Sequence, residues 1–458
     1  MERREGRHQT HLPRAGLVAR HHRRPAGGEE PVSTLTTSLA RGIDRVTGSP
    51  LGRYQAAVIR IGISFVWLCF LIREWPNRHE MYGTDGPWNW EMARRLTADN
   101  HAFTALVWSD SGLWFETVYA LALVASVLLL LGWRTRTMSV LFMIGVLSLQ
   151  NRSVFLGDGG DNVIHLLSLY LVLTRCGLVW SLDARRARRR ARAAAAAQKA
   201  EEKTEETPGE TAGGKGNPVG HDVCGIVLWA LCGLALAVVQ AAGHSRMMWT
   251  TNGPLPGLGW AAVFWGLWLV QGLWWCVRRY APGEPRAVLN VFADLAHNAA
   301  MLVIMAEVCL IYATAGWYKI QGSRWQDGTA LYYPLHLDYF APWPELSRVL
   351  AGNSVMVLLL SYGTVAVQVA FPFTLLNRRV KNVLLGVMMI EHLGIAVALG
   401  LPFFSLAMIV ADAVFLPTSF LKRLGSSVGR VRERVLAGRT EAVPQQREGE
   451  AAARTLVP

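Results

Sequence analysis

Cysteine is scarce, with six in 458 residues. Cys69, Cys176, Cys224, Cys232, Cys276 and Cys309 all lie in or at the edges of apolar runs. No two form a C-x-x-C, which argues against both a disulfide framework and a zinc site. Acidic residues are also few, 33 against 46 Lys and Arg, leaving a net charge of +13. The basic residues cluster between apolar runs, so the excess reads as topology information and not as a nucleic-acid footprint. Residues 1–50 hold no apolar h-region, so no cleavable signal peptide is expected there. Short alternating segments of the β-barrel kind are missing, and so is any repeat of fixed period.

Apolar residues are abundant. They make up 52% of the chain, with 18 Trp among them. Apolar runs of about 18 residues recur, the length that crosses a bilayer as a helix. The predicted class is an all-α polytopic membrane protein with about ten transmembrane helices. The expected spans are Tyr54–Ile72, Leu113–Leu131, Thr137–Gln150, Val163–Trp180, Val223–Ala242, a sixth ending at Val277, Val288–Gly316, Val355–Leu376, Val383–Leu401 and Phe403–Phe420. Both termini are expected in the cytoplasm. That places the basic clusters at 134/136, 185–192, 278–286, 378–381 and 422–434 inside, and the loops at 73–112, 151–162, 243–257 and 317–350 outside.

The domain boundaries follow composition. Residues 1–50 read as a disordered basic arm. Residues 51–183 form a four-span half and 221–423 a six-span half. Between them 184–220 is a charged low-complexity linker whose first part could be helical. Residues 424–458 read as a polar, disordered tail.

The informative stretch is Ile311–Phe340, IYATAGWYKIQGSRWQDGTALYYPLHLDYF. An apolar helix is expected to end there at Ala315-Gly316, followed by a polar, aromatic loop. Lys319 has two readings. It could be a general base at the rim of a dehydrated pocket, or an interfacial anchor beside Trp317 and Tyr318. Asp158 and Asp161 could position Lys319 or a substrate, or could cap the fourth span, Asp161 and Asn162 being good N-cap residues. GDGGDN lacks the rest of an EF-hand, and no metal is predicted. His392 could be a proton relay or a ligand contact, or a structural histidine paired with Glu391 or another span. Arg60 and Glu307 read as a structural ion pair or as helix glue.

The motif AGWYKIQGSRWQDG resembles the Ala-Gly-x-x-Lys…Trp-x-x-Gly stretch of the vitamin K-dependent γ-glutamyl carboxylases and of the related bacterial HTTM (horizontally transferred transmembrane) domain proteins. Trp180-Ser181-x-Asp183 is similar to the family's Trp-Ser-x-Asp. His392 with Phe404-Ser405 and Met408 resembles its later His…Phe-Ser…Met helix. The likeness spans roughly residues 53–423 without the linker. It implies that Lys319 is the base that activates a reduced, vitamin K-like quinone, with Asp161 and His392 assisting. Asp158, Asn162, Trp317, Tyr318 and Trp325 would form the surrounding binding surface. Tyr318 stands where the carboxylase has a second Lys, and Gly160-Asp161-Asn162 where it has Asn-Asn-His. A quinone-type or other lipid-soluble substrate is therefore the expectation, in place of a glutamyl protein.

Two partner classes follow from the lipid bilayer setting. One is the quinone. The other belongs to a non-enzymatic alternative, in which the chain serves export, maturation or immunity of a secreted peptide, as some HTTM relatives do. A transporter ranks behind both, because no inverted repeat is visible. Reporter fusions at 151–162 and 317–350 should both report the outside. A cytoplasmic signal from either would overturn the ten-span topology.

Overall fold

The computed structural model describes residues 30–205, 222–249, 257–281 and 283–441. The first part of the predicted arm, the second half of the linker, residues 250–256 and the end of the tail lie outside the described residues. The structure is all-helical, at 79% helix. The elements are α1 (Glu30–Gly48), α2 (Arg53–Glu74), α3 (Arg78–Tyr82), α4 (Trp90–Asn100), α5 (Gly112–Leu131), α6 (Thr135–Gln150), α7 (Gly159–Leu171), α8 (Leu182–Glu205) and α9 (Val223–Ala241). A two-residue antiparallel pair follows, β1 (Met248–Trp249) with β2 (Gly257–Leu258). Then come α10 (Trp260–Tyr280), α11 (Glu284–Gln321), α12 (Ser323–Gln326), α13 (Pro344–Ala351), α14 (Ser354–Ala370), α15 (Arg378–Ala398), α16 (Pro402–Asp412) and α17 (Thr418–Glu441). The chain divides into two compact units, one up to Arg45 and one from Val46 onward. The first holds most of α1, and the second holds every later helix.

Among the described residues seven helices are long and apolar enough to cross a membrane: α2 continued through Tyr82, α5, α9, α10, α11, α14 with the turn after it, and α15. Four sequence expectations are corrected. The fourth expected span, Val163–Trp180, is helical only to Leu171, and residues 172–181 run as turns. The tenth breaks after Phe415, where Pro417 cannot continue the ladder, and the chain bends by 115°. The seventh does not end at Ala315-Gly316 but runs 38 residues to Gln321. Finally, α1 and α17 from residue 424 onward lie in stretches expected to be disordered. α17 is helical because Leu421 docks it, at 1% exposure, and docking of an apolar side is what usually stabilises a helix.

The core is built by α2, α5, α6, α7 and α16. Ile59, Ile63 and Trp67 of α2 meet Tyr119 of α5, Phe142 and Val146 of α6, Ile164 and Leu167 of α7, and Ala407 and Ala411 of α16. By contrast α9 is held mainly through α10. Trp229 and Trp268 stack with centroids 4.1 Å apart, and each indole N–H donates to the other's carbonyl oxygen. The rest of α9 is open, with Val223, Val227, Leu231, Leu234 and Val238 all exposed.

Arg60 fixes the middle of the fold. It is fully buried on α2. Its guanidinium donates to the carbonyl oxygens of Leu129 and Leu130 at the end of α5, and of Cys176 and Trp180 in the turns after α7. These carbonyls are either helix-end groups or non-helical backbone, and buried they need a donor. Trp180 adopts φ 50° to present its carbonyl. The expected pairing of Arg60 with Glu307 is not made, since the guanidinium is taken up by these carbonyls.

Further contacts gather the basic ends. Asp183 accepts from the backbone N–H of Arg134 and Thr135 at the start of α6. Ser181 caps α8 by accepting from Ala184. Arg134 pairs with Asp222 at the start of α9, and Arg136 lies 3.8 Å over the ring of Trp274 in α10. Arg175 pairs with Asp294 of α11, whose His297 bonds the backbone of Arg175 and Leu51. Lys381 of α15 donates to the Phe415 carbonyl, and Gln55 of α2 to that of Leu416. Residues 51–55, 134–136, 175–183, 222, 294, 381 and 415–418 therefore meet at one end of the helices.

Replacing Arg60 by Ala should cost at least about 3 kcal/mol, because four buried carbonyls lose their donor at once. Thermal unfolding of the purified chain checks this, and Arg60→Lys should recover only part of the loss.

Candidate functional site

A cavity of about 290 Å³ lies between α7, α11, α14, α15 and α16. Its walls are largely apolar: Val163 and Leu166 from α7, Ile311 and Ala315 from α11, Phe404 and Met408 from α16. Five polar side chains reach it, from Asn162, Tyr312, Lys319, Gln368 and His392. An apolar pocket with a few convergent polar groups is the usual form of a small-molecule site.

Local sequence explains how these helices come so close. Gly160 in the first turn of α7 rests against the backbone of α16, where a Cβ would fall 2.6 Å from Phe404 Cα. Gly316 of α11 faces Val369 of α14, whose Cγ2 would be 2.5 Å from an added Cβ. Ala315-Gly316 therefore does not end the helix. It lets α11 approach α14, and Lys319 follows on the same continuous helix.

Lys319 turns inward. Its Nζ donates to Gln368 Oε1 and sits 5.1 Å from the Trp325 ring centroid. Its neighbours do not follow it: Trp317 and Tyr318 are exposed and do not line the cavity. They are accordingly corrected as members of the site. Gln368 is 96% out of solvent and passes the interaction on, its Nε2 donating to Glu391 Oε1 at 2.7 Å. Lys319 thus meets a carboxylate through an intervening amide.

His392 is buried and does not pair with Glu391. Its Nε2 lies 3.0 Å from the Tyr312 hydroxyl, which in turn is 3.0 Å from both carboxylate oxygens of Asp412. If Tyr312 donates to Asp412, Nε2 carries the histidine proton and Nδ1 is left as an acceptor. That Nδ1 is buried with no hydrogen-bond partner among the described residues. Buried polar atoms are rarely left so, and this one belongs to a residue that lines the cavity.

Of the two readings of the acidic loop the cap is the one observed, with Asp158 in place of Asp161 or Asn162 as the N-cap residue. Asp158 is the N-cap of α7, accepting from the N–H of Gly160 and Asp161. Asp161, three residues on, accepts from the Asp158 N–H at 2.9 Å. Both carboxylates are spent on this reciprocal cap. Neither lines the cavity, whereas Gly159 and Asn162 do. Tyr312, Gln368, Glu391 and Asp412 were missing from the expected site. Each is a polar residue within an apolar run, and that alone is a signal of buried pairing or function.

No protein-family model, curated protein or solved structure matches the chain.

Burial holds the Asp161 carboxyl up at about 6, against its ordinary value of 3.8. A raised carboxyl favours the folded state while protonated, so its contribution is full below pH ~4 and lost as the pH rises through ~6. Asp161→Asn keeps the acceptor for the Asp158 N–H without the charge. It should match the parent near pH 4 and be more stable by on the order of 1–2 kcal/mol at pH 8. Melting curves at the two pH values decide it, and equal stability at both would refute the burial effect.

Proposed function

We propose that this chain is a multi-pass integral membrane protein of the cell membrane with both termini in the cytoplasm, whose cavity takes a reduced quinone or similar lipid-soluble ligand with Lys319 as base. The observation that carries the reading is the turning of Lys319 into an apolar cavity that His392, whose Nδ1 is unpartnered among the described residues, also lines. The open apolar side of α9 supports the membrane setting. Asp183 bonded to Arg134 and Thr135 supports the topology, because α6 and the α7 segment must leave and return to the same end. Both are short, α7 reaching only about 20 Å. The turns 172–181 complete the path, and non-helical backbone is tolerated at membrane depth when buried in protein. Ten passes with every basic cluster on one side remain the simplest count.

The cavity walls fit a quinone. Phe404 and Met408 offer a flat, polarisable surface, and two polar groups approach from different helices. A bound reduced quinone would supply acidic hydroxyls and two reducing equivalents. Lys319 Nζ, entering as the neutral amine, is then the proton acceptor and becomes the ammonium. Its positive charge is held by Gln368 Oε1, with the Glu391 carboxylate behind the amide. His392 Nδ1 accepts a hydrogen bond from a ligand hydroxyl, and Tyr312 and Asp412 fix its ring and tautomer. The motifs that resemble the carboxylase family, Lys319 and His392 with Phe404 and Met408, line one cavity, which supports a carboxylase-like lyase or oxidoreductase chemistry.

Purified wild-type protein should retain a quinone extractable with organic solvent, and should consume oxygen when supplied with its reduced form. Lys319→Ala should lower the rate at least ~100-fold while leaving ligand retention nearly intact. Lys319→Arg should fail as well, since a guanidinium does not give up its proton. Full oxygen uptake by Lys319→Ala, or no quinone in the wild type, would defeat this reading.

A further inference from the structure

The chain leaves its core at α17, and that helix is built like a surface float. Its course is set by three polar contacts at the bend. Gln55 donates to the Leu416 carbonyl at 2.7 Å and lies 3.1 Å from Thr418 Oγ1, and Lys381 holds the Phe415 carbonyl. The 115° turn sends α17 away from the direction of α16 and partly back. It starts level with the first turns of α2 and α15, where Arg53, Arg378, Arg379 and Lys381 stand. One side docks inward. Leu421 is buried, and Gly425 rests on Trp180, whose ring is edge-on to Tyr54 at 5.4 Å.

The remaining sides are sorted by polarity. Phe420, Leu424, Val428 and Val431 are all about half exposed or more. At 3.6 residues per turn they fall within an arc of roughly 80°. Arg423, Arg430 and Arg434 are exposed and occupy a second arc, roughly 40° wide, directly beside the first. An apolar stripe bordered by arginines, on a helix turned across the ends of the spans, matches the environment at the boundary between acyl chains and headgroups.

We propose that α17 is an interfacial helix that binds the anionic lipid surface of the membrane, its apolar stripe among the upper acyl chains and Arg423, Arg430 and Arg434 on headgroup phosphates. This rests on the reading of the chain as a membrane protein. The occupant is a lipid leaflet because the stripe is narrow, continuous and edged by one sign of charge. A basic helix near an anionic surface gains affinity with each Lys or Arg it brings to the headgroups, an attraction that salt screens.

The arginines are themselves tryptic sites, which gives a direct readout. The full-length chain is reconstituted into nanodiscs of phosphatidylcholine alone or with phosphatidylglycerol, and cleavage after Arg423, Arg430 and Arg434 is timed. Cleavage should be roughly tenfold slower in the anionic discs, with the difference closing at high salt. The double variant Leu424→Glu/Val428→Glu should be cut fast in both. Arg430→Gln, a milder change at an exposed position, should shrink the anionic effect at Arg423 several-fold. Equal cleavage in both discs with the chain incorporated would overturn the α17 proposal and leave the membrane reading standing. A chain that stays soluble and never enters a disc would overturn both.

Discussion

The structure depends on one buried cation. Arg60 has no carboxylate partner among the described residues; it is satisfied by carbonyl oxygens at the end of α5 and in the turns after α7. A guanidinium can do this because its donors spread in a plane, which an ammonium cannot imitate. The interaction runs both ways. The charge needs acceptors in a low-dielectric interior, and the exposed carbonyls of a broken helix need donors. It is what permits α7 to be short, and therefore what permits a non-helical return inside the core.

The cavity is a consequence of that shortness. With α7 tied at its far end, its glycine-rich first turn can lie on α16 and form one wall. Two polar chains then approach from other helices. One is Lys319, Gln368 and Glu391; the other is His392, Tyr312 and Asp412. Each satisfies its own members in series, so polar groups sit beside apolar walls without a direct ion pair. Among the buried side-chain polar atoms of these six residues, Nδ1 of His392 is the one without a partner among the described residues. The Trp180-Ser181-x-Asp183 motif belongs to the other end of the molecule and is structural: Trp180 receives Arg60, Ser181 caps α8 and Asp183 holds the start of α6.

Much of this was legible in order of residue alone. Several apolar runs, such as those of α2, α5, α6 and α9, gave their helices to within a few residues, whereas the fourth and tenth did not. The basic clusters mark one end, since each falls between runs. Lys319, His392 and the GDGGDN turn are recognisable as polar features that an apolar setting must explain, and the structure does bring Lys319, His392 and Asn162 to one cavity.

Spacing could not say which way a side chain turns. Trp317 and Tyr318 are neighbours of Lys319 in sequence, yet helical rotation sends them outward and Lys319 in. Asp158 and Asp161 looked chemically apt but are consumed by each other across one turn. Gln368 and Asp412 lie 49 and 100 residues from the groups they serve, a distance over which local pattern carries no information. Composition and charge order determined that the chain is a set of apolar helices with one basic end. Only the tertiary packing decided which polar residues face each other, because partner choice in a low-dielectric interior is settled by the need of each buried donor and acceptor for a mate.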